Sequence, residues 1–321
     1  MLKEQILFLF CGKIRQSLEN TSLDFQKFQE IRLRIGKPII LIGEQREFYL
    51  REQGGLTERW EEGLCAEGKD LRQVVETACG YSGYAYEEEI RRGYLTIFGG
   101  HRIGIVGRAV LNENGVQTLK QISALNLRIA HPVKGCAEPW FHFFYQEKKP
   151  CHVLLISSPG GGKTTLLRDA VRMFSDGIGE MPPVTVGVVD ERSEIAGTYR
   201  GDTSFDLGIR TDVLDGCPKR IGMEMMLRSM SPKVLAVDEI GTEDVPAIEH
   251  ALRCGCKVLA TLHGDCLEDF LEKPGFADLV REQVFERYFL LKQGNVPGKV
   301  TRVYGQQFES LWEEGQCISK S

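Results

Sequence analysis

The sequence lacks an apolar run long enough to span a membrane. A membrane-spanning helix needs about 18 or more apolar residues in succession, and no stretch of the 321-residue chain approaches that length. The apolar start of the chain, residues 1–11, carries Lys3 and Glu4 and has no small-residue cleavage site. We therefore expect an amphipathic helix there, with neither a signal peptide nor a transmembrane segment.

An excess of basic residues is also missing. The chain has 40 Lys and Arg residues against 45 Asp and Glu residues, and its net charge is -5. Proteins dedicated to nucleic-acid binding usually carry a basic domain or stripe, so we expect no nucleic-acid partner. Local basic groups keep a nucleic-acid-dependent function open as the alternative: Arg32, Arg34, Lys37, Arg91, Arg92, Arg102 and Arg108.

The ten cysteines do not form the spacing pattern of a disulfide framework. Scattered cysteines favour a reduced, cytoplasmic protein. Zinc is conceivable at one group, because His250 and Cys254 lie four residues apart on a predicted helix and Cys256, His263 and Cys266 follow. A Cys-x-Cys pair without a second Cys-x-x-Cys pair is weak evidence for zinc. We expect buried thiols there, with zinc as the alternative.

The most informative stretch that is present is Ser-Ser-Pro-Gly-Gly-Gly-Lys-Thr-Thr at residues 157–165. It follows the apolar run 153–156 and precedes a good helix opening, which is the setting of a phosphate-binding P-loop. Glycines let successive backbone N–H groups point into one concavity, and the next helix adds its unpaired N–H groups and positive dipole end. The residues predicted to bind the nucleotide are Ser158, Pro159, Gly160, Gly161, Gly162, Lys163, Thr164 and Thr165.

Within this loop, we expect Lys163 to reach the β- and γ-phosphates and the Thr164 hydroxyl to bind Mg²⁺. The P-loop pattern has glycine at its first position, where this chain has Ser157. That residue begins the turn and does not hold phosphate, so serine is acceptable if its backbone is not left-handed. The alternative is a glycine-rich turn that binds nothing.

Polar groups follow four predicted strands at the same end. The strands alternate with helical sequence, which is typical of a parallel α/β sheet. The apolar runs and the groups after them are 153–156 with the P-loop, 184–189 with Asp190-Glu191, 234–237 with Asp238-Glu239, and 257–262 with His263. Open α/β sheets bind ligands at the carboxyl ends of their strands. We therefore predict that these groups meet at one nucleotide site.

Two acids after the third strand have predicted roles in phosphoryl transfer. The reaction needs a positioned water, metal charge and cations around the phosphate oxygens. The run 234–239 fits a Walker B strand, so Asp238 is predicted to hold Mg²⁺, usually through water, and Glu239 to polarise the attacking water. The alternative is a solvated acidic turn.

Residues 190–194, Asp-Glu-Arg-Ser-Glu, form a second acidic group that we name the acidic box. Asp190 and Glu191 are predicted to position water or the magnesium shell, and the alternative is a capping cluster at a helix start. His263 is predicted to sense the γ-phosphate, with a purely structural role as the alternative.

The sequence also bears on the base and on arginines supplied between subunits. The guanine-binding string Asn-Lys-x-Asp of Ras-type GTPases does not occur, so ATP is favoured over GTP.

An arginine supplied by a neighbour can raise turnover about 10³- to 10⁵-fold. Arg228 is our predicted catalytic arginine, although each arginine in this part of the chain could instead be a surface or ion-pair residue. The candidates are Arg192, Arg200, Arg210, Arg220 and Arg228.

The composition shifts along the chain predict a smaller α+β domain at 1–132, a linker at 133–150 and a P-loop ATPase domain at 151–321. Pro132, Gly135 and Pro139 mark the linker. Elsewhere the predicted elements are helix within 1–30, strands at 31–35, 39–42 and 48–50, a helix capped by Asp70, a hairpin over 94–111, a strand over 122–130, a closing hairpin over 288–304 and a frayed tail from Gln306.

Seven blocks of the sequence resemble the stage III sporulation protein AA family of endospore-forming bacteria. The most specific are Arg-Thr-Asp-Val-Leu-Asp at 210–215 and Arg-Ser-Met-Ser-Pro at 228–232, and the blocks together cover nearly the whole chain. They lie at residues 87–94, 99–104, 158–165, 189–196, 210–218, 228–232 and 237–241.

The resemblance implies more than the residues themselves. That family is similar to the ring-forming ATPases of type II and type IV secretion, with a RecA-like or AAA+ core in a hexamer. By this analogy nucleotide binds between the N-terminal domain and the core, where Arg102 or Arg128 would touch it. The resemblance also implies a cytoplasmic motor of the mother cell, peripheral at the membrane, that energises or assembles a channel to the forespore together with membrane proteins.

Two other functions stay open from the sequence. A nucleic-acid-remodelling or loading ATPase would share this fold, and fold alone does not decide function. A scaffold that binds nucleotide without hydrolysing it is the third possibility, and the presence of Glu239 argues against it.

Overall fold

The structure, a computed structural model, describes residues 2–43, 46–80, 86–112, 115–294 and 297–315, with the side chain of Glu88 excepted. The chain divides into two units. The first comprises Met1–His131 and Gly197–Ser204, and the second comprises Pro132–Ala196 and Phe205–Ser321. A short segment that lies far along the sequence therefore belongs to the first unit.

The elements are numbered in chain order. The α-helices are α1 (Leu2–Leu7), α2 (Gly12–Glu19), α3 (Gly68–Ala78), α4 (Glu87–Arg92), α5 (Lys163–Asp176), α6 (Lys219–Ser229), α7 (Val245–Arg253), α8 (Glu268–Leu271) and α9 (Ala277–Arg281). The strands are β1 (Phe28–Arg34), β2 (Ile40–Gly43), β3 (Arg46–Leu50), β4 (Leu56–Thr57), β5 (Tyr94–Ile97), β6 (His101–Asn112), β7 (Gly115–Arg128), β8 (Tyr145–Gln146), β9 (Lys149–Pro150), β10 (Val153–Ser157), β11 (Val186–Asp190), β12 (Thr198–Tyr199), β13 (Asp202–Thr203), β14 (Thr211–Asp215), β15 (Val234–Val237), β16 (Lys257–His263), β17 (Arg287–Leu291), β18 (Val300–Tyr304) and β19 (Ser310–Glu313).

The first unit is built on an antiparallel sheet of seven strands in the order β4-β3-β2-β1-β7-β6-β5. Alternate residues of β1, Ile31 and Leu33, are fully buried, whereas Arg32 and Arg34, which follow them, are partly exposed. This alternation is typical of a sheet with one face against a core. The β12–β13 hairpin joins this unit, where the Tyr199 ring stacks on Tyr86 with centroids 6.5 Å apart.

Two predictions in the first unit are wrong in detail. Asp70 is not the cap of its helix: α3 begins at Gly68, and the Asp70 carboxylate accepts the backbone N–H of Glu67 at 2.7 Å. The prediction of a helix over 1–30 is wrong after residue 19, because α2 ends at Glu19 and β1 begins at Phe28. The apolar residues Phe25 and Phe28 are buried in the core without continuing a helix. The sequence Asn-Glu-Asn-Gly at 112–115 also predicts a turn, and residues 113 and 114 of it lie outside the described residues.

The second unit is built on an eight-stranded sheet in the order β14-β11-β15-β16-β10-β17-β18-β19. All pairs from β14 to β17 are parallel, and β18 and β19 are added antiparallel. The four predicted core strands are confirmed as β10, β11, β15 and β16. Their carboxyl ends therefore share one edge, where Ser157 of β10 is in register with His263 of β16.

Continuous apolar runs form these strands because both faces of the sheet are covered. On one face, Val153 and Leu155 of β10 belong to a core cluster that includes Leu166 of α5. On the other face, Leu154 and Ile156 belong to a cluster that includes residues of α6 and α7. The P-loop helix and the α6–α7 pair thus lie on opposite faces of the strands that lead into the predicted site.

Two segments are more ordered than the sequence predicts. The predicted linker contains a 3₁₀ helix, Glu138–Phe144, whose Phe141 and Phe144 are buried in the core of the second unit. The prediction of a frayed tail from Gln306 is wrong for the residues up to 315. Strand β19 pairs with β18, and the Trp312 ring packs edge-on against Trp140 with ring centroids 4.6 Å apart.

No helix within the described residues combines the length and the apolar character that crossing a membrane requires.

Candidate functional site

The predicted P-loop lies between β10 and α5, at the carboxyl edge of the sheet. Gly160 and Gly162 have left-handed backbones, with φ of 78° and 87°, which glycine adopts at no steric cost. Ser157 is the last residue of β10 and so has an extended backbone; its buried hydroxyl donates to the Ser158 carbonyl at 2.8 Å. Serine at the first P-loop position is therefore compatible with the turn.

Gly298, which lies just before β18, packs directly on this turn. The Gly298 N–H donates to the Gly161 carbonyl at 3.3 Å. A Cβ atom at Gly162 would lie only 2.0 Å from the Gly298 nitrogen. Glycine is required at position 162 both for its backbone angle and for this close approach. A cavity of about 530 Å³ also borders the loop and is lined by Ser158, Pro159 and His263, among others.

Lys163 is the first residue of α5, and its side chain turns back over the loop. It is 5% exposed, and its ammonium donates to the carbonyl oxygens of Ser157 and Ser158 at 2.6 and 3.2 Å. Burial lowers the pKa of Lys163, while Asp238 and Glu239 raise it. The two main-chain carbonyls that hold this cation are neutral, so they bind it without cancelling its charge.

Asp238, which follows β15, is held by two threonine hydroxyls. Thr164 Oγ1 donates to Asp238 Oδ2 at 2.7 Å, and Thr261 on β16 donates to the other carboxylate oxygen. A carboxylate and a hydroxyl in contact are hard oxygen donors, the ligand type that Mg²⁺ prefers. The residues present thus fit a magnesium ion bound by Thr164, with Asp238 as a direct or water-mediated partner.

Glu239 is joined to Lys163 through the ring of His263. His263 Nδ1 lies 3.0 Å from the Lys163 ammonium, and Nε2 lies 2.8 Å from Glu239 Oε1. Because the ammonium can only donate, Nδ1 is assigned as the acceptor, and Nε2 then carries the hydrogen that points to Glu239. Three of the predicted groups therefore form one hydrogen-bonded chain.

Glu239 also has a strained backbone. Its φ is 52°, a left-handed value that is uncommon for residues other than glycine and costs of order 1–3 kcal/mol. Its N–H donates to Thr261 Oγ1 at 2.8 Å. Thr261 thus contacts both of the predicted Walker B residues. The sequence analysis missed this role of Thr261, whose signal was a polar residue inside the apolar run 257–262.

The acidic box is organised by Asp190, which is 2% exposed. Its carboxylate accepts the backbone N–H groups of Glu194, Ile195 and Ala196 at 2.8, 2.9 and 2.8 Å. Burial raises the pKa of Asp190 to about 6, and these three hydrogen bonds oppose the rise. The contacts resemble the capping cluster that was the alternative interpretation, so we propose a positioning role for Asp190.

The next acid, Glu191, pairs with the Lys219 ammonium at 2.9 Å. Lys219 is the first residue of α6, on the other face of the sheet from α5. Glu191, Asp190, Asp238 and Glu239 all line one small cleft. The structure therefore brings Asp190 and Glu191 of the acidic box to the edge where Asp238 and Glu239 lie.

The predicted arginines differ in their surroundings. Arg192 lies 3.5 Å from Glu239, so it reaches the site within one chain. Arg228 is on the last turn of α6 with its side chain 74% exposed, 3.8 Å from Glu224. Arg102 and Arg128 belong to the first unit, where Arg102 lies over the Tyr94 ring at 4.2 Å and Arg128 lies 3.6 Å from Glu30.

The cysteine group gives no support to zinc. Across the described parts of the chain, no three His, Cys, Asp or Glu side chains are grouped so that they could hold a metal ion. The prediction of a buried thiol is confirmed for Cys256 and is wrong for Cys254, which is exposed. Burial raises the pKa of Cys256 to about 12, which disfavours the thiolate that zinc needs.

Comparison with known proteins identifies the family. Residues 1–311 match the family described as Sporulation stage III, protein AA. A Bacillus subtilis (strain 168) relative, "Stage III sporulation protein AA", is 41% identical over 279 residues, which is 87% of each chain. The chain belongs to this family. The uncharacterized protein ycf45 of Porphyra purpurea is 33% identical over 132 residues, 40% of this chain and 22% of that protein.

Solved structures with a similar fold include two ATPases. The Legionella pneumophila ATPase DotB has a TM-score of 0.52 and 16% identity, over 82% of this family member and 72% of DotB. The Yersinia pseudotuberculosis ATPase DotB has a TM-score of 0.53 and 12% identity, over 82% and 70% of the two chains. At these identities the likeness shows the fold, and the predicted α/β fold of a P-loop NTPase is confirmed.

The raised pKa of Asp190 gives a testable pH dependence. Burial raises this pKa to about 6 from the ordinary value of 3.8, so Asp190 is protonated at a higher pH in the native state than in the unfolded state. The stability that protonation of Asp190 contributes is then fully present below pH 3.8 and is lost as the pH rises through 6. From pH 7 to pH 5, the melting temperature of the wild type should therefore rise relative to that of Asp190→Asn. A difference between the two that does not change with pH would contradict the assignment.

Proposed function

We propose that this family member is an ATPase that binds Mg·ATP at the carboxyl edge of its parallel sheet. One observation carries the proposal: the Lys163 ammonium, the His263 ring and the Glu239 carboxylate form a hydrogen-bonded chain across this edge, at 3.0 and 2.8 Å. A P-loop cation and an acid that can activate water are the two parts that phosphoryl transfer to water needs close together.

In this mechanism the backbone N–H groups of the P-loop and Lys163 bind the β- and γ-phosphates. Thr164 and Asp238 would hold Mg²⁺, which when bound neutralises charge that develops on the phosphate oxygens. Glu239 orients the attacking water, and His263 holds the Glu239 carboxylate in place. The left-handed backbone of Glu239 directs this side chain to the edge of the sheet, since Thr261 fixes its N–H.

Adenine is the base that we propose, because the guanine-binding string Asn-Lys-x-Asp is missing from the sequence. We also propose that the protein acts as a homo-oligomer, with six subunits as in the secretion ATPases that the sequence resembles. The exposed Arg228 would then serve the site of a neighbour. Light scattering with and without ATP should show a larger assembly with ATP; a monomer under both conditions would contradict the oligomer.

The family's description places the protein in stage III of sporulation. We propose that its ATPase energises or assembles a membrane channel from the cytoplasmic side of the mother cell, with membrane proteins of that channel as partners. The alternative, a nucleic-acid-remodelling ATPase, rests on local basic groups in the sequence. Turnover measured with single-stranded DNA and, separately, with the soluble domain of a membrane partner distinguishes the two. Stimulation by DNA alone would favour the alternative.

Removing the P-loop cation tests nucleotide binding. Lys163→Ala should weaken ATP binding by about 10-fold or more, because a hydrogen bond to a charged group contributes about 1.5–3 kcal/mol. Isothermal titration with Mg·ATP measures the change. Lys149→Ala is the matched control, because Lys149 is exposed on β9. Unchanged affinity in Lys163→Ala would refute phosphate binding at this loop.

Removing the acid tests hydrolysis separately from binding. Glu239→Gln should bind ATP with affinity close to that of the wild type but hydrolyse it about 10²- to 10⁴-fold more slowly, the range that general-base catalysis contributes. Glu243→Gln, at an exposed position four residues later, is the control and should turn over normally. Normal turnover in Glu239→Gln would remove Glu239 from its role.

A further inference from the structure

Arg168 links the P-loop helix to the acidic box. It lies five residues after Lys163 on α5. Its Nε and Nη2 donate to the carbonyl oxygens of Ile195 and Glu194, both at 2.7 Å. The guanidinium carbon also lies 3.9 Å from the centre of the Phe205 ring. All three contacts are made within the second unit, and Arg168 is partly buried.

Asp190 binds the N–H groups of the same stretch of backbone whose carbonyl oxygens Arg168 binds. Its carboxylate accepts the N–H groups of residues 194–196, while Arg168 binds the carbonyls of residues 194 and 195. The Ala196 carbonyl accepts the Phe205 N–H at 3.1 Å. The backbone after the acidic box is therefore fixed at both its donors and its acceptors, although these residues form neither helix nor strand.

The acidic-box residues that precede this backbone reach the proposed catalytic acid through Arg192. Arg192 lies 3.5 Å from Glu239. Glu191 is tied to Lys219 at 2.9 Å. Ser193, between them and the fixed peptides, has a left-handed φ of 53° and donates to Asp215 Oδ1 at 2.7 Å. A backbone strained at this point keeps its shape only where its neighbours hold it.

We propose that Arg168 is a positioning residue for ATP hydrolysis, which fixes the acidic box so that Arg192 stays against Glu239. The proposal rests on the proposed ATPase function. Arg168 is not expected to touch the nucleotide, since its guanidinium hydrogen atoms are directed at protein carbonyls. Its effect on turnover is indirect, through the orientation of the acidic box.

The geometry requires arginine at this position. The planar guanidinium presents several N–H groups in a fixed fork, which here reach two successive carbonyls while the flat face lies on Phe205. Lysine would keep the charge but offers a single flexible ammonium. Arg168→Lys is therefore expected to retain part of the function and Arg168→Ala to lose it.

The kinetic test compares three variants. Arg168→Ala should lower kcat about 10- to 100-fold, the loss that a small misplacement of reacting groups causes, while its affinity for Mg·ATP stays within about 3-fold of the wild type because the P-loop is intact. The kcat of Arg168→Lys should lie between the values of Arg168→Ala and the wild type. Arg172→Lys is the matched control: it lies one turn later on α5 and pairs with Asp169 at 2.8 Å instead, so its kcat should not change.

Two further readouts separate positioning from loss of folding. Methylguanidinium added to Arg168→Ala should restore part of kcat, which a misfolded protein could not show. Hydrogen exchange should accelerate at the amides of residues 194–196 in Arg168→Ala and remain as in the wild type at β10 and α5. Exchange that is unchanged at 194–196, or a kcat equal to that of the wild type, would overturn the proposal.

These measurements distinguish failure of the ATPase proposal from failure of the positioning role of Arg168. If the wild type hydrolyses no ATP, the ATPase proposal fails, and the role of Arg168 in turnover fails with it. If the wild type is active and Arg168→Ala is equally active, only the positioning role fails. If Arg168→Ala loses ATP affinity in proportion to kcat, Arg168 supports the P-loop itself and the assignment to the acidic box is wrong.

Discussion

The site depends on where the charge of Lys163 can be stabilised. The ammonium is almost completely buried, and burial disfavours its charged form. Two main-chain carbonyls and a histidine ring contact it, and the carboxylates of Asp238 and Glu239 act on it from nearby. Only the carboxyl edge of a parallel sheet supplies all of these groups at once, because neighbouring strands end there together. The register of Ser157 against His263 sets the spacing that the lysine spans.

The other features of the second unit keep this edge in one geometry. Thr261 fixes both acids after β15, Gly298 donates a hydrogen bond to the P-loop, and Asp190 with Arg168 holds the backbone of residues 194–196. Each of these is a hydrogen bond to a main-chain group or to a carboxylate, so the site is determined mainly by backbone positions. This rigidity is what electrostatic stabilisation of a transition state requires, since preorganised groups need no rearrangement during the reaction.

Much of this could be predicted from the sequence, and the omissions have physical reasons. Apolar runs bounded by glycine and acids identify the strands of a parallel sheet, because a doubly covered strand has no polar face. The P-loop, the Walker B acids and His263 follow from their places after those runs. The contacts of Arg168 and Thr261 depend on which backbone groups come near in space, which spacing does not encode. The strand β19 was missed because Trp312 is its main apolar contact and its flanks are polar.

A crystal structure with Mg²⁺ and a non-hydrolysable ATP analogue would show whether Lys163, Asp238 and Glu239 bind one Mg·ATP. We expect the Lys163 ammonium to leave the carbonyls of Ser157 and Ser158 for the β- and γ-phosphate oxygens. We also expect the metal to bind Thr164 Oγ1 and Glu239 to face the γ-phosphate. An analogue bound elsewhere, or a Lys163 ammonium that keeps its carbonyl contacts with the analogue present, would contradict this mode of binding.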